Sequence, residues 1–518
     1  MRIHKFLEYW AQRNPDAICV EDEQRQWSLR ELDELSNRFA RALGQLGIGR
    51  GDRVGIVAEN CFEWFVLYYG AFKCGVVPVP MNYRLSPREW LQILGDSAAK
   101  AIIAQPQYLE ALDTVAAELG RLPIRIALGS CQLPWLEFDE LLRSSGPGRV
   151  DFDDTDGADL YQMYTSGTTG RPKGAVISHA AADANMRQTQ AALPLYPGIR
   201  SLVVMPLYHA GGAIQSFSVI GVGGTVVLRA AFDAAECVRL LDEESIAIAT
   251  FVPAMIQAML VGVPDVRTRK YPKLERIAYG ASPIAESTLR EAMQVFGGGF
   301  IQAFGMTECT SVLTILTEED HAVALAGNVH LLLSCGRPIV GTDVRIVRTD
   351  GTEAPAGQLG EIHARGPQLM KGYWNLPDAT SDALAGGWMH TGDVGYLDEA
   401  GYLYVSDRLK DMIVSGGENI YPREIEDALF EMAGIVDAAV IGVPDDRWGE
   451  AVKAIVVTGA DEQLTADDVL AWCRSRLAGF KCPKSVEFVA ELPRNPSGKV
   501  LKRSLREPYW DRSARNVG

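Results

Sequence analysis

The stretch Tyr164-Thr165-Ser166-Gly167-Thr168-Thr169-Gly170-Arg171-Pro172-Lys173-Gly174 decides the fold expected for this chain. Residues 160–164 before it and residues 175–179 after it have the composition of short strands. Between them, hydroxyl groups, glycines and one lysine can turn backbone N–H groups and a positive charge toward one point, which suits phosphate. Because Lys173 is followed by Gly174 and not by Ser or Thr, this is not a Walker-type loop. For this stretch alone, a plain glycine-rich hairpin turn is the alternative.

Strand-like and helix-like segments alternate on both sides of this loop. Ser28 and Glu31 form a capping-box pattern at the start of an amphipathic helix expected over residues 28–47. Further strands are expected at residues 54–58, 101–104, 124–128, 202–205, 225–228, 247–252, 276–279 and 300–303. This alternation predicts an α/β fold with largely parallel sheets. Because ligands of open α/β sheets bind beyond the carboxyl ends of the strands, we expect one site built from the loops there.

The pattern changes twice in the C-terminal part of the chain. From about residue 335, short β-like segments with Gly and Asp turns predict a small antiparallel or barrel-like part. From about residue 410, helix and strand patterns alternate over a length that suits a compact α+β domain. The expected domains are therefore a large N-terminal domain, residues 1–409, and a small mobile C-terminal lid, residues 410–518.

Length and composition are typical of a large globular enzyme. The 518 residues exceed one ordinary domain, and 47% of them are apolar. The formal net charge of −16 argues against nucleic acid as a partner and requires a local positive site for any anionic ligand. Nine scattered cysteines without a CxxC pair predict reduced thiols in a cytoplasm and no zinc site. We expect no signal peptide, no transmembrane helix, and a monomer or homodimer.

Four more stretches, taken with the first, resemble the motifs of a known family. They are Gln302-Ala303-Phe304-Gly305-Met306-Thr307-Glu308, Gly387-Trp388-Met389-His390-Thr391-Gly392-Asp393, residues 407–426 with Ser415-Gly416-Gly417, and residues 492–503 with Ser497-Gly498-Lys499. In this order they resemble the adenylate-forming superfamily of acyl-CoA synthetases, firefly luciferases and peptide-synthetase adenylation domains. Phe304 stands where tyrosine is usual. Within the superfamily the chain is most similar to bacterial fatty-acid–CoA ligases. Taken alone, the stretch ending in Glu308 also fits a strand followed by a capped helix.

The resemblance implies that the chain binds ATP, Mg²⁺ and coenzyme A. It implies that Phe304 lies against adenine and that Asp393 accepts hydrogen bonds from both ribose hydroxyls, as a carboxylate can. It assigns the metal ion to Thr165 and Glu308. The residues implied in binding ATP or coenzyme A are Thr165, Ser166, Gly167, Thr168, Thr169, Lys173, Gly280, Ala281, Ser282, Gln302, Ala303, Phe304, Gly305, Met306, Thr307, Asp393, Arg408, Lys410, Gly416, Gly417, Asn419 and Lys499.

The resemblance also implies a reaction in two steps. A carboxylate first attacks the α-phosphate of Mg-ATP, which gives the acyl-adenylate and releases pyrophosphate, and Lys499 stabilises the transition-state charge. The C-terminal domain then rotates about Lys410, and the thiol of coenzyme A attacks the acyl-adenylate, which forms the acyl-CoA and releases AMP. The predicted catalytic residues are Lys499, Thr165, Glu308 and His209. Acetylation of Lys499 is a hypothesis for regulation. Arg229 is a candidate for the basic residue that binds the 3′-phosphate of coenzyme A.

Several acids fit the residues expected around the acyl group. The pocket walls implied by position are Tyr208, His209, Ile214, Phe251, Tyr279, Gly280, Ala281 and Met306. Apolar walls with small residues favour a fatty or medium-chain acid. An aromatic acid of the benzoate or hydroxycinnamate type, acyl transfer to a carrier protein, and a non-catalytic adenylate-binding protein are the alternatives. His209 is either a gate beside this pocket or a buried structural histidine.

Overall fold

The computed structural model describes most of the chain. The described residues are 1–119, 123–150, 157–165, 172–281, 284, 286–408, 411–415, 418–445, 448–459, 464–477, 479–494 and 500–510. For residues 407, 408, 418, 419 and 449 it describes the backbone only.

The strands are numbered in chain order. They are β1 Ile18–Glu21, β2 Gln26–Ser28, β3 Arg53–Val57, β4 Val77–Met81, β5 Ala101–Ala104, β6 Ile124–Ala127, β7 Leu136–Glu137, β8 Asp159–Thr165, β9 Lys173–Ser178, β10 Arg200–Val203, β11 Thr225–Leu228, β12 Ile248–Phe251, β13 Arg276–Gly280, β14 Gly299–Phe304, β15 Thr314–Leu316, β16 Arg337–Pro338, β17 Asp343–Val347, β18 Gly360–Arg365, β19 Gly372–Tyr373, β20 Met389–Leu397, β21 Leu403–Arg408, β22 Ile413–Ser415, β23 Glu418–Ile420, β24 Ile435–Asp445, β25 Gly449–Thr458 and β26 Ser485–Phe488.

The helices are numbered in the same way. They are α1 His4–Arg13, α2 Leu29–Gln45, α3 Glu63–Cys74, α4 Pro87–Ser97, α5 Leu109–Glu118, α6 Phe138–Ser144, α7 His179–Ala192, α8 Ala210–Gly221, α9 Ala234–Glu243, α10 Pro253–Gly262, α11 Glu286–Phe296, α12 Glu318–Leu325, α13 Pro377–Ala383, α14 Pro422–Phe430, α15 Ala466–Arg474 and α16 Lys502–Arg506. Short 3₁₀ turns cover Pro106–Tyr108, Thr307–Cys309, Val329–Leu333 and Ala385–Gly387.

Two sheets with parallel centres confirm the predicted α/β class. The larger has the order β16-β15-β14-β13-β12-β10-β11-β1-β2, and its strands from β14 to β1 run parallel. The smaller, β4-β3-β5-β6-β7, is parallel throughout. A helix connects each pair of consecutive strands from β3 to β6 and from β10 to β14, as parallel pairing favours. In the part of the chain that the structure describes, no helix is long and apolar enough to cross a membrane.

The large sheet is covered on both faces, and alternate residues of its strands enter different cores. Val203, Val226 and Ile248 belong to the cluster that we call the central core, which the small parallel sheet and the β8–β9 hairpin also line. Their neighbours Leu202, Val227 and Ala249 belong to a second cluster, the rear core. Because side chains alternate along a strand, the two cores lie on opposite faces of the sheet.

The predicted N-terminal helix begins at the predicted cap. In α2, the Glu31 N–H donates to the Ser28 hydroxyl oxygen, and the Ser28 N–H donates to the Glu31 carboxylate over 2.8 Å. This reciprocal pair satisfies two backbone donors at the helix start. The helix ends at Gln45, two residues before the predicted end. Helix α1 was not predicted; it docks on the central core, where the Trp10 indole donates to the carbonyl oxygen of Gly221.

Antiparallel sheets follow the large parallel sheet, as the change in pattern predicted. Strands β17-β18-β20-β21 form a four-stranded sheet that is the barrel-like part. Strands β23-β22-β25-β24, with β26 beside β25, form the sheet of the small C-terminal α+β part. Helices α14 and α15 pack on this sheet. The helices and the sheet share a separate apolar core that includes Ile413, Leu429 and Val440.

Candidate active site

The structure brings the two predicted metal ligands into direct contact. Thr165 is the last residue of β8, and Glu308 lies in the 3₁₀ turn just after β14. The Thr165 hydroxyl donates to Oε1 of Glu308 over 3.1 Å, although 143 residues separate them in the sequence. The start of the phosphate-type loop therefore adjoins the carboxyl end of the large parallel sheet, where a ligand is expected.

Tyr373 is a further residue of this site that the sequence analysis missed. Its hydroxyl donates to the same Oε1 atom of Glu308 over 3.0 Å. Burial, and then the negative charge of Glu308, raise the pKa of the Tyr373 hydroxyl, so it remains a proton donor at neutral pH. The Lys173 ammonium lies 5.0 Å from the centre of the Tyr373 ring. No local pattern predicts this contact, because it depends on the pairing of β19 with β9.

Glu308 is a buried carboxylate with 5% of its surface exposed. The two side-chain hydrogen bonds described for Glu308 both end at Oε1, so they leave the lone pairs of Oε2 for a ligand. The alternative of a strand followed by a capped helix is not what the structure shows, since β14 is followed by the single 3₁₀ turn Thr307–Cys309, which has no side-chain cap. The chain reverses at Thr310, which has a φ of +66° and whose hydroxyl donates to the carbonyl oxygen of Gln368 over 2.7 Å.

Close backbone approaches explain two of the predicted glycines. A Cβ atom on Gly280 would lie 2.2 Å from the carbonyl oxygen of Ala303 on the neighbouring strand. A Cβ atom on Gly305 would lie 1.8 Å from the carbonyl oxygen of Ser311. Neither position can accept a larger residue without moving the backbone. Ala281 has a φ of +67°, which is unusual for a residue with a side chain and marks a strained turn at the end of β13.

The predicted adenine-side residues follow one another along β14. The amide of Gln302 donates to Sγ of Cys335 over 3.6 Å, while its buried Oε1 has no hydrogen-bond partner among the described residues. Phe304 is half-buried and packs between the central core and the apolar cluster of Ile346, Ile362 and Leu403. This packing holds the ring and leaves part of it exposed beside the four-stranded sheet.

A β-bulge in β20 presents Asp393. The pairing of β18 with β20 shifts between Glu361 and His363, so residues 391–393 bulge out of the ladder. Gly392 has a φ of +70° and donates its N–H to Oε1 of Glu361 over 3.1 Å. Asp393 is buried, and its backbone pairs with that of Arg408 across β20 and β21. The two residues predicted at the ribose are therefore neighbours in this sheet.

The predicted acyl-pocket residues divide between the two cores. Tyr208 is buried in the central core, its ring centre lies 4.6 Å from that of His209, and burial raises its pKa. His209 is half-buried just before α8. Ile214 lies in the central core, and Met306 packs against that core.

Phe251 and Tyr279 lie elsewhere, which corrects their prediction as pocket walls beside Tyr208. Both side chains belong to the rear core, on the other face of the large sheet. The Tyr279 hydroxyl and Nε2 of His321 are hydrogen-bonded over 2.9 Å within that core. Strand alternation sends these two side chains away from the central core.

The structure also argues against Arg229 as the base for the 3′-phosphate of coenzyme A. Its side chain is buried and donates to Oε1 of Glu236 over 3.2 Å and to the carbonyl oxygen of Leu228 over 2.8 Å. Its charge is thus already paired inside the fold.

Several predicted residues lie outside the described part of the chain. These are Ser166, Gly167, Thr168, Thr169, Ser282, Lys410, Gly416, Gly417 and Lys499, and the side chains of Arg408 and Asn419 belong with them. Their roles remain predictions.

Comparison with known proteins identifies the family. A family model described as AMP-binding enzyme matches residues 7–374, and one described as AMP-binding enzyme C-terminal domain matches residues 424–499. The chain belongs to the AMP-binding enzyme family. It is therefore an enzyme of the adenylate-forming acid–thiol ligase group, as the motifs predicted.

The relatives of this AMP-binding enzyme differ in the acids named for them. It is 36% identical to a fatty acid–[acyl-carrier-protein] ligase of Streptomyces coeruleorubidus, over 98% of this chain and 96% of that one. It is 37% identical to a feruloyl-CoA synthase of an Amycolatopsis species, over 96% of this chain and 97% of that one. The solved structure of ATP-bound MatB from Rhodopseudomonas palustris superposes with a TM-score of 0.90 at 28% identity and covers 99% of both chains.

Proposed function

We propose that this AMP-binding enzyme activates a carboxylic acid, most suitably a fatty or medium-chain acid, with Mg-ATP and transfers the acyl group to coenzyme A. The observation that carries the proposal is the cluster of Thr165, Glu308, Tyr373 and Lys173 at the carboxyl end of the large sheet. It combines a buried carboxylate, hydroxyl donors and a positive charge at the start of the phosphate-type loop. Such groups suit a magnesium–triphosphate ligand.

Thr165 and Glu308 would hold Mg²⁺, since their oxygen atoms are adjacent and are the ligands that this ion prefers. The ion would neutralise charge on the phosphate oxygens. Tyr373 would orient the Glu308 carboxylate, and Lys173 would pair with phosphate. Asp393, presented by the bulge in β20, would accept the ribose hydroxyls, and the exposed part of the Phe304 ring would contact adenine.

The second half of the proposal concerns residues outside the described part. Lys499 would stabilise the charge that develops when the carboxylate attacks the α-phosphate. Residues 410–518 would form a lid that turns about Lys410, after which the side containing Gly416 and Gly417 would receive the pantetheine arm. The family match over residues 424–499 supports a separate C-terminal unit.

The central core supports an apolar acyl group. Tyr208 and Ile214 belong to that core and Met306 packs against it, so they offer aromatic and aliphatic surface on that side of the large sheet. The Streptomyces relative named for fatty acids supports an aliphatic acid. An aromatic acid is the second candidate, because the Tyr83 and Tyr208 rings meet edge to face at 5.7 Å and the Amycolatopsis relative is named for a ferulic acid derivative.

The test is ATP–pyrophosphate exchange with a panel of fatty, branched and aromatic acids, followed by addition of coenzyme A or of a phosphopantetheinylated carrier protein. We expect exchange with aliphatic acids and AMP release that requires coenzyme A. Lys499→Ala should abolish exchange, whereas Lys484→Ala, an exposed lysine of the same C-terminal part, should not. Turnover only with the carrier protein would show that the carrier protein, and not coenzyme A, is the acyl acceptor. Nucleotide binding without exchange for any acid would leave a non-catalytic adenylate-binding protein.

A further inference from the structure

Two histidines and a glutamate meet on the four-stranded sheet, beside the bulge that presents Asp393. Glu361, His363 and His390 each offer a ligand atom, and these atoms all lie within 4.8 Å of one another. Glu361 and His363 are two residues apart on β18, and His390 is the cross-strand partner of His363 on β20. Residues at these positions share one face of a sheet.

The sheet brings the three side chains together, and the two imidazole rings stack at a centroid distance of 3.8 Å with 20° between their planes. Nε2 of His363 lies 3.2 Å from Oε2 of Glu361. The lone pairs of stacked rings point side by side and not toward one point, so binding one ion requires at least one imidazole to rotate about its side-chain bonds. Such a rotation would bring the donor atoms closer together than 4.8 Å, as bonds of about 2.0–2.1 Å to a tetrahedral ion require. The strands that carry them are the two central strands of the sheet, which fixes their backbone positions.

A second observation points to a ligand. His363 is 4% exposed, and its Nδ1 atom is buried without a hydrogen-bond partner among the described residues. Leaving a buried nitrogen unpaired is unfavourable, so most buried polar side-chain atoms have a hydrogen-bond partner. The described polar contact of the His363 ring is that of Nε2 with Glu361.

We propose that Glu361, His363 and His390 bind one divalent first-row transition-metal ion, such as Zn²⁺. Two neutral imidazoles and one carboxylate are ligands that these ions prefer over Mg²⁺. Three protein ligands leave at least one position for water. The cysteine pattern predicted no zinc site, and this site uses no cysteine.

The positively charged side chain of Arg345 lies near the cluster. Arg345 is the cross-strand neighbour of His363 on β17. Its guanidinium lies over the Trp388 ring at 4.1 Å, which directs the positive charge to an aromatic face. The Glu361 carboxylate supplies the compensating negative charge for an ion.

The test uses full-length, metal-stripped protein without nucleotide, titrated with Co²⁺ as the probe and followed by visible absorption. We expect one Co²⁺ bound per chain by mass spectrometry of the metal, with a visible band typical of nitrogen and oxygen ligands and without a thiolate band. His363→Gln and His390→Gln should each weaken binding at least roughly tenfold. His330→Gln is the matched control, because His330 is exposed and stacks on Tyr404 of β21, away from the three ligands.

Three results would overturn the proposal. They are the absence of Co²⁺ binding by wild-type protein, binding that both histidine variants retain at full strength, and a thiolate band that assigns the ion to cysteine. Circular dichroism and the melting temperature identify a variant that has lost its fold. Two independent histidine variants keep the proposal testable when one of them fails to fold.

Discussion

Single residues set the geometry around Glu308, and Tyr373 is the most informative of them. Its hydroxyl and that of Thr165 both donate to Oε1, so the carboxylate has one fixed orientation. The phosphate-type loop and the carboxylate can act on one ligand only if this orientation is maintained. Tyr373 is therefore assigned as a positioning residue.

Tyr373→Phe should lower kcat/KM for pyrophosphate exchange by roughly tenfold or more, because a hydrogen bond to a charged group contributes about 1.5–3 kcal/mol. It should also raise the Mg²⁺ concentration that gives half-maximal exchange. Tyr396→Phe, which removes a hydroxyl from the four-stranded sheet, is the control. An unchanged magnesium dependence in Tyr373→Phe would show that Tyr373 does not position the metal ligand.

Gly305→Ala tests the backbone contact after β14. The added Cβ would lie 1.8 Å from the carbonyl oxygen of Ser311, so the turn that contains Glu308 must shift. We expect exchange activity to fall by about a hundredfold or more and the melting temperature to decrease. Gly44→Ala is the matched control: its Cβ meets nothing within 4 Å in helix α2, and it should stabilise the protein by roughly 0.5–1 kcal/mol. Full activity of Gly305→Ala would contradict the assigned turn.

At the scale of elements, the contact between α2 and α3 contains a buried charge. The side chain of Lys73 on α3 is 1% exposed, and its ammonium lies 2.6 Å from Oδ1 of Asp33 and 2.8 Å from Oδ1 of Asn37, both on α2. Burial lowers the pKa of Lys73, and the Asp33 charge opposes that shift. The ion pair fixes how the two helices meet.

Lys73→Ala should lower the free energy of unfolding by about 3–5 kcal/mol, because it leaves the partners of a buried charge unpaired. Lys100→Ala removes an exposed lysine that pairs with Asp52 and should cost about 0–1 kcal/mol. Urea denaturation of both variants measures the difference. Equal stability losses in the two variants would show that the pair on α2 and α3 contributes no more than a surface ion pair.

The bulge in β20 is the second element with a testable role. Glu361 accepts the Gly392 N–H and thereby closes the turn that presents Asp393. Glu361→Ala should raise the dissociation constant for ATP by roughly tenfold, since a charge-assisted hydrogen bond is lost. Calorimetry with ATP measures this, with Glu353→Ala, an exposed glutamate close to the same sheet, as the control. Unchanged ATP affinity would show that the hydrogen bond in the bulge does not contribute to binding of the ribose.

For the whole molecule, the prediction concerns the two halves of the reaction. If residues 410–518 form a lid that turns about Lys410, the first half-reaction requires Lys499 and the second does not. Lys499→Ala should therefore fail in pyrophosphate exchange but convert a synthetic acyl-adenylate to the acyl-CoA at a rate within about threefold of wild type. Loss of both activities would indicate that Lys499 acts in one shared arrangement or is needed for folding, and the melting temperature distinguishes these cases.

Local patterns predicted much of the fold because they are set by nearest neighbours. The capping pair Ser28 and Glu31 starts α2 as expected, and the strands that flank the phosphate-type loop form the hairpin β8 and β9. The change of pattern near residue 335 corresponds to the four-stranded antiparallel sheet. Capping, alternation and turn residues act over a few positions, so they can be seen without a structure.

Contacts between distant strands could not be predicted in the same way. Phe251 and Tyr279 lie at the carboxyl ends of strands of the large sheet, as pocket residues should, but strand alternation places their side chains in the rear core. Arg229 has the charge expected for a phosphate contact, but Glu236 already pairs with it. A residue type and a position in a motif do not specify which face of a sheet a side chain occupies.

The sequence by itself determined the family and the α/β class, and it predicted the motifs for phosphate, adenine and ribose, because all of these depend on residue types at short spacing. Only the tertiary structure decided that Tyr373 joins Thr165 at Glu308, and that Glu361, His363 and His390 form one cluster. Both depend on strand register, since β19 pairs with β9 and β18 with β20. No short turn joins either pair of strands, so their register depends on which faces the packed sheets bury and not on one local stretch of sequence.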